Sequence, residues 1–162
     1  MKLLIASDIH GSAYWCSKLM DAYQNEKADR MILLGDILYH GPRNALPKEY
    51  DPQRVCDLLN QISDRILCVR GNCDADVDQW LIHFPIMADY SWIMEKDRVI
   101  YLTHGHVYGK ISEKTKAFRR FKRKMWCFQV IHIFQSQNRL TEGCSLTQVP
   151  FQSRKMEAKM VI

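Results

Sequence analysis

No apolar run in the 162-residue sequence approaches the roughly eighteen residues that a membrane-crossing helix needs, which argues against a membrane segment. The short apolar start is interrupted at Asp8 and lacks a small-residue cleavage pattern, so no secretory signal is expected and the chain reads as cytoplasmic. Its six cysteines, Cys16, Cys56, Cys68, Cys73, Cys127 and Cys144, lack the close pairing of zinc ribbons and disulfide frameworks. Most are expected to be reduced and buried. There is no internal repeat and no linker-like composition to mark a domain boundary. With 47% apolar and 25% charged residues, the length suits one globular domain with a sizeable core.

Charge does mark a boundary. Residues 1–109 hold 11 Lys or Arg against 15 Asp or Glu, whereas residues 110–162 hold 12 against 3. The stretch 110–124 alone carries eight cations and one Glu.

Before that boundary, buried-strand patterns alternate with helical ones. Lys2-Leu3-Leu4-Ile5-Ala6 reads as a first buried strand that stops at Ser7-Asp8-Ile9-His10-Gly11. Ser12 can cap a helix reaching about Lys27, with Trp15, Leu19 and Ala22 at helical spacing. Met31 to Leu34 is a second strand, ended by Gly35-Asp36. Pro52 opens a helix in which Val55, Leu58, Leu59 and Ile62 share a face. Arg65 to Val69 is a third strand, ended by Gly71-Asn72-Cys73-Asp74. Tyr90 to Met94 and Arg98 to Leu102 suit a hairpin, and Thr103-His104-Gly105-His106 follows it. The order predicts an α/β domain with helices flanking a sheet.

Four polar clusters therefore stand where buried strands stop: Asp8 with His10, Asp36, Asn72 with Cys73 and Asp74, and His104 with His106. In open α/β sheets the carboxyl ends of strands share an edge, so the four can form one site. Carboxylate, imidazole and amide oxygen suit Mn²⁺, Fe²⁺ or Zn²⁺ better than thiolate-seeking metals. Taken singly, Asp8 or Asp36 would be a turn residue or a helix cap, and Cys73 a small buried residue. It is the combination that points to metal chemistry. His40 and Arg43 either solvate a loop or reach the edge of the site. Trp80, Phe84, Tyr90 and Trp92 read as core or as an oligomer face, and His83 and His132 as structural.

Asp8-x-His10, Gly35-Asp36, Gly71-Asn72 and His104-Gly105-His106, in this order over residues 1–109, resemble the calcineurin-like metallophosphoesterase superfamily. The stretches Asp36 to Pro47 and Gly71 to Asp74 are similar to the YfcE-type bacterial phosphodiesterases in particular. The resemblance implies a β-sandwich flanked by helices and two divalent metal ions, Mn²⁺ by preference. It implies that Asp8 and His10 bind one ion, that Asp36 bridges both, and that Asn72 and His104 bind the other. Two cations about 3.5 to 4 Å apart need such a shared anion, and together they can generate the hydroxide that attacks phosphorus. The implied substrate is a small phosphodiester or phosphomonoester. His106 is expected to face the phosphate or support the ligands. Many relatives carry histidine where this chain has Cys73, so Cys73 and Asp74 are the remaining catalytic candidates.

The family closes its site with a late Gly-His-x-His motif, and none follows His106. The genetic code suggests why. When the third base of each codon is joined to the first two of the next, Met125 to Gln135 can encode V-V-L-S-G-H-T-H-I-P, and Leu146 to Lys155 can encode N-P-G-S-V-S-I-P-K. Both resemble family segments, in order and in one shifted frame. The expectation is a metallophosphoesterase domain over 1–109 and a basic, out-of-frame tail over 110–162, with the last strands missing or disordered. An impaired relative retaining a partial metal site is the alternative function. A nucleic-acid-binding module would rest on the basic tail alone and is disfavoured, while a homo-oligomer stays open.

Overall fold

The computed structural model describes residues 1–95, 98–107, 125–129 and 158–160. Three short apolar runs form the parallel strands β1 (Leu3–Ala6), β2 (Arg30–Leu33) and β3 (Ile66–Cys68), joined through helices α1 (Ala13–Asn25) and α2 (Pro52–Asn60). The hairpin strands are β4 (Ser91–Glu95) and β5 (Arg98–Thr103), antiparallel and in register from Ser91 with Leu102 to Glu95 with Arg98. Two further strands fall after residue 109. Strand β6 (Met125–Gln129) runs parallel to β5, and β7 (Ala158–Met160) runs parallel to β1. One sheet has the order β3-β2-β1-β7 and the other β4-β5-β6. These two short strands lie within 110–162, where the last strands were expected to be missing or disordered, and the other residues of that tail lie outside the described residues.

The first sheet is apolar on both faces because both are covered, as its unbroken apolar runs require. On one face Leu4, Ala6, Met31 and Leu33 pack with Cys16, Leu19 and Met20 of α1 and Val55, Cys56 and Leu59 of α2. On the other, Leu3, Ile5 and Ile32 meet Ile100 and Leu102 of β5, which places the second sheet across the first. Full burial contributes about 1.5–3 kcal/mol for each such aliphatic side chain. The sandwich with flanking helices agrees with the expected fold.

Local signals act where the sequence suggests. Ser12 accepts a hydrogen bond from Trp15 N at 3.3 Å and caps α1, while Asp51 caps α2 with Pro52 in its first turn. The buried stripe of α1 is Ala13, Cys16, Leu19 and Met20, however, and Trp15 is half exposed, on the outer side. Spacing alone placed Trp15 and Leu19 on one face, but the small Ala13 and Cys16 fit the closer approach to the sheet. Cys16, Cys56 and Cys68 are buried free thiols, as expected, and Phe84 is core. Trp80, Tyr90 and Trp92 are exposed. His132, Cys127 and Cys144 have no described side chains.

Candidate metal centre

The strand ends converge because the loops beyond them continue to pair. Asp8 N donates to Gly35 O, His10 N to Asp36 O and Gly11 N to Ile37 O, at 3.0, 2.9 and 2.8 Å. This zipper bends both loops into the left-handed region at Asp8 (φ 59°), His10 (φ 51°) and Asp36 (φ 57°). Such a backbone costs on the order of 1 kcal/mol per side-chain-bearing residue, and Asp and His are among those that tolerate it. Three of the proposed ligands are therefore held by the fold in conformations they would rarely adopt alone. Gly35 lets the neighbouring loop approach: a Cβ there would lie 2.2 Å from Gly71 N.

Two histidines face the centre in the same way. His10 Nδ1 lies 2.7 Å from Tyr39 O, and His104 Nδ1 lies 2.8 Å from Leu34 O. A backbone carbonyl only accepts, so each Nδ1 carries the proton that it donates, and Nε2 turns inward. Both Nε2 atoms lie 3.7 Å from Asp36 Oδ2. His10 Nε2 is also 3.3 Å from Asp8 Oδ1, and His104 Nε2 is 3.0 Å from Asn72 Oδ1.

Asp36 is almost wholly buried, and its two oxygens differ. Oδ1 accepts from Cys73 N at 2.8 Å, whereas Oδ2 accepts no hydrogen bond among the described residues. A buried carboxylate oxygen without a donor is costly unless a cation fills the role. The surrounding carboxylate, imidazole and amide donors are of the kind that suits divalent Mn²⁺, Fe²⁺ or Zn²⁺. Ligand atoms of Asp8, Asp36 and His104 lie within 4.8 Å of one another, as do those of His10, Asp36 and Cys73. The groupings share Asp36. They also set Asp8 beside His104 and bring Cys73 within reach of His10, which chain order did not reveal.

Electrostatics follow from this crowding. Burial opposes charge on His10, but hydrogen bonds with Asp8 and the Tyr39 carbonyl and the nearby Asp36 carboxylate raise its pKa to about 9. Burial also works against the Asp8 carboxylate, yet its bonds to His10 and Ser7 hold it below the usual range. Burial and the Asp36 charge push the Cys73 thiol up to about 12, so its sulfur is neutral at pH 7. His106 is exposed, edge-on to His104 with ring centroids 5.3 Å apart. Burial, His104 and Arg70 lower its pKa and keep it neutral.

Asp74 is only 3% exposed, and both of its oxygens accept hydrogen bonds from backbone amides. Of the loop residues, Arg43 is exposed and His40 is set between the rings of Tyr39 and Tyr50. The carbonyls of Tyr39 and Leu34 are the functional groups that sequence reasoning missed. Only the fold brings a main-chain oxygen beside a particular imidazole.

The sequence pattern described as the calcineurin-like phosphoesterase superfamily domain matches residues 1–143. Phosphodiesterase YfcE of Escherichia coli is 45% identical over 109 residues, in each of the strains compared. That alignment covers 67% of this chain and 59% of the relative, so the chain spans under two thirds of its curated relatives' length. The solved structure of YfcE, described as a phosphoesterase from E. coli, superposes with a TM-score of 0.64 at 44% identity, covering 65% of this chain and 58% of that one. A superfamily pattern that takes in every strand end of the site, on a fold shared at this level of identity, leaves one assignment: the chain belongs to the calcineurin-like phosphoesterase superfamily.

Proposed function

We propose that residues 1–109 carry the larger part of a two-metal phosphodiesterase site, with Asp36 shared between the ions. Asp8 and His10 hold one ion, Asn72 and His104 the other, and Mn²⁺ suits the oxygen and nitrogen donors best. The observation that carries this reading is Asp36 Oδ2: buried, without a hydrogen bond among the described residues, and 3.7 Å from the Nε2 atoms of both histidines. When bound, the ions would polarise phosphoryl oxygens and lower the pKa of water. The chain's own contribution is positional. Tyr39 O and Leu34 O orient the imidazoles, and Asp8 holds the inward nitrogen of His10 until an ion replaces that contact. Neutral His106 at the rim can donate a hydrogen bond to a phosphate oxygen. Neutral Cys73, within reach of His10 and Asp36, can do the same. The substrate is a small phosphodiester or phosphomonoester met in the cytoplasm.

A second reading concerns how far this chain can run that chemistry. We infer that the reading frame shifts between about Lys110 and Lys124, which removes two histidines from the site and leaves an impaired relative. Strand β6 supports this inference. It lies parallel to β5 with Gln129 in register with Thr103, so the chain leaves β6 at the same edge where His104 begins. In the shifted frame, the codons from Gln129 to Ile133 are those that can encode G-H-T-H. The nucleotide sequence of codons 109–135 is the direct test, and codons unable to yield the motif would end the frame argument. Metal stoichiometry and chelator-sensitive hydrolysis of bis(p-nitrophenyl) phosphate test the site itself. A protein that takes up no divalent metal would refute the functional reading.

A further inference from the structure

We propose that Asp74 is a positioning residue, the joint that fixes Asp36 so that Oδ2 alone faces the cluster between His10 and His104. The inference rests on the metal reading above and deepens it.

Three backbone amides from two loops converge on the Asp74 carboxylate. Asp36 N and Gly71 N donate to Oδ2 at 2.8 and 2.7 Å, and Ile37 N donates to Oδ1 at 2.8 Å. Asp36 returns the contact, its own Oδ1 accepting from Cys73 N at 2.8 Å. The loop after β2 and the loop after β3 thus hold each other through two crossed carboxylates. Each side chain grips the backbone of the opposite loop, Asp74 at Asp36 and Ile37 and Asp36 at Cys73. The clasp is tight: a Cβ on Gly71 would lie 2.1 Å from Asp36 Oδ1 and 2.5 Å from Asp36 N.

Two consequences bear on the centre. By holding the amides of residues 36 and 37, Asp74 locks the left-handed backbone at Asp36 from which its side chain departs. Because Cys73 N donates to Oδ1, Oδ2 is the oxygen left without a donor among the described residues, and it is the one that would meet a cation. The chemistry of the clasp requires a carboxylate. Three donors meet two oxygens, and an amide side chain would supply one acceptor while turning its NH₂ against a backbone N–H. Asp74→Asn is therefore nearly isosteric but electronically wrong, and Asp36 should lose its fixed aim.

The test uses the full chain. Mn²⁺ binding is measured by equilibrium dialysis, and metal-free thermal stability separately, for the parent, Asp74→Asn and Asp78→Asn. Asp78 is the control, since its carboxylate accepts from Ala75 N within its own turn. The expected result is a loss of Mn²⁺ affinity of tenfold or more in Asp74→Asn, on the fraction that remains folded, with Asp78→Asn binding like the parent. A lower melting temperature with unchanged affinity would make Asp74 merely structural and overturn the proposal. Should Asp74→Asn fail to fold, amide NMR of the parent decides. The amides of Asp36, Ile37 and Gly71 should exchange slowly, and Zn²⁺ should shift the Cys73 amide as Oδ2 takes charge from the shared carboxylate. Fast exchange or an unmoved Cys73 amide would refute the clasp. Failure of the parent to bind either metal would bring down the functional reading as well, whereas equal binding by the parent and Asp74→Asn would remove the clasp alone.

Discussion

Residues 1–109 and 110–162 differ in the sign of their charge, with 11 cations against 15 anions in the first and 12 against 3 in the second. All eight residues singled out for the site fall in the first. Three of its acidic residues, Asp8, Asp36 and Asp74, are fixed by particular hydrogen bonds or ion contacts at one sheet edge. No comparable pattern of acids, histidines and glycines occurs in the second. Within one chain, then, polar residues in the first region gather where strands end, as the clusters at Asp8, Asp36 and His104 show. Charge alone does not report function: the negative region is where cations are expected to bind.

The sharpest way to break this contrast is to repair the second region. Restoring the shifted frame should raise Mn²⁺-dependent hydrolysis of bis(p-nitrophenyl) phosphate by about two orders of magnitude or more, because the supplied histidines would complete the coordination. Parallel assays of the two proteins, with and without chelator, check this. Equal chelator-sensitive rates would mean that the chain as given completes its site by another route.

Next in size is Asp36→Asn, which removes the charge that offsets repulsion between two cations. Metal content measured after dialysis should fall from the parent's value to no more than one ion per chain, and an unchanged stoichiometry would take Asp36 out of the bridging role.

A smaller effect concerns pH. His10 is raised from 6.5 to about 9 in the metal-free protein, so its charged form stabilises that fold fully below pH 6.5 and ceases to do so as pH rises through 9. Metal needs the neutral ring, so binding must displace this proton. Mn²⁺ affinity should climb by up to about tenfold per pH unit between 6.5 and 9 and then level, whereas a His10→Gln protein should lose that slope. Calorimetry in two buffers of different ionisation heat measures the released proton.

The least effect is expected from Cys73→Ser. Oxygen in place of sulfur keeps a neutral polar group and leaves the Cys73 main-chain amide to Asp36, so Mn²⁺ affinity should change by less than about threefold. A loss as large as that of Asp36→Asn would instead make sulfur a ligand of the grouping with His10.

Much of the fold was readable because its signals are local. Ser12 and Pro52 mark helix starts, apolar runs mark strands covered on both faces, and Glu95-Lys96-Asp97 marks a hairpin. The convergence of Asp8, His10 and Asp36 was also legible, since the parallel strands β1 and β2 end along one edge, whereas His104 reaches them from β5 of the second sheet. What was not legible depends on distances between loops. Nothing around Asp74 signals that it would grip Asp36, Ile37 and Gly71, and nothing in the sequence pairs Tyr39 O with His10. The exposed position of Trp15 was hidden for a related reason. Periodicity gives a helix its stripe, but the depth of the neighbouring sheet decides which residues belong to it.

The left-handed backbone at Asp8, His10 and Asp36 bears on the order of assembly. Main-chain bonds between the two loops hold these conformations, and those bonds need no ion. The conformational work of shaping the cup is therefore done during folding, and an arriving cation meets a nearly finished receptor. Capture then carries little reorganisation, unlike small zinc domains in which the ion itself drives collapse of the chain. Chelation should empty such a centre without melting the protein, leaving a stable apo form that can be reloaded with a different metal.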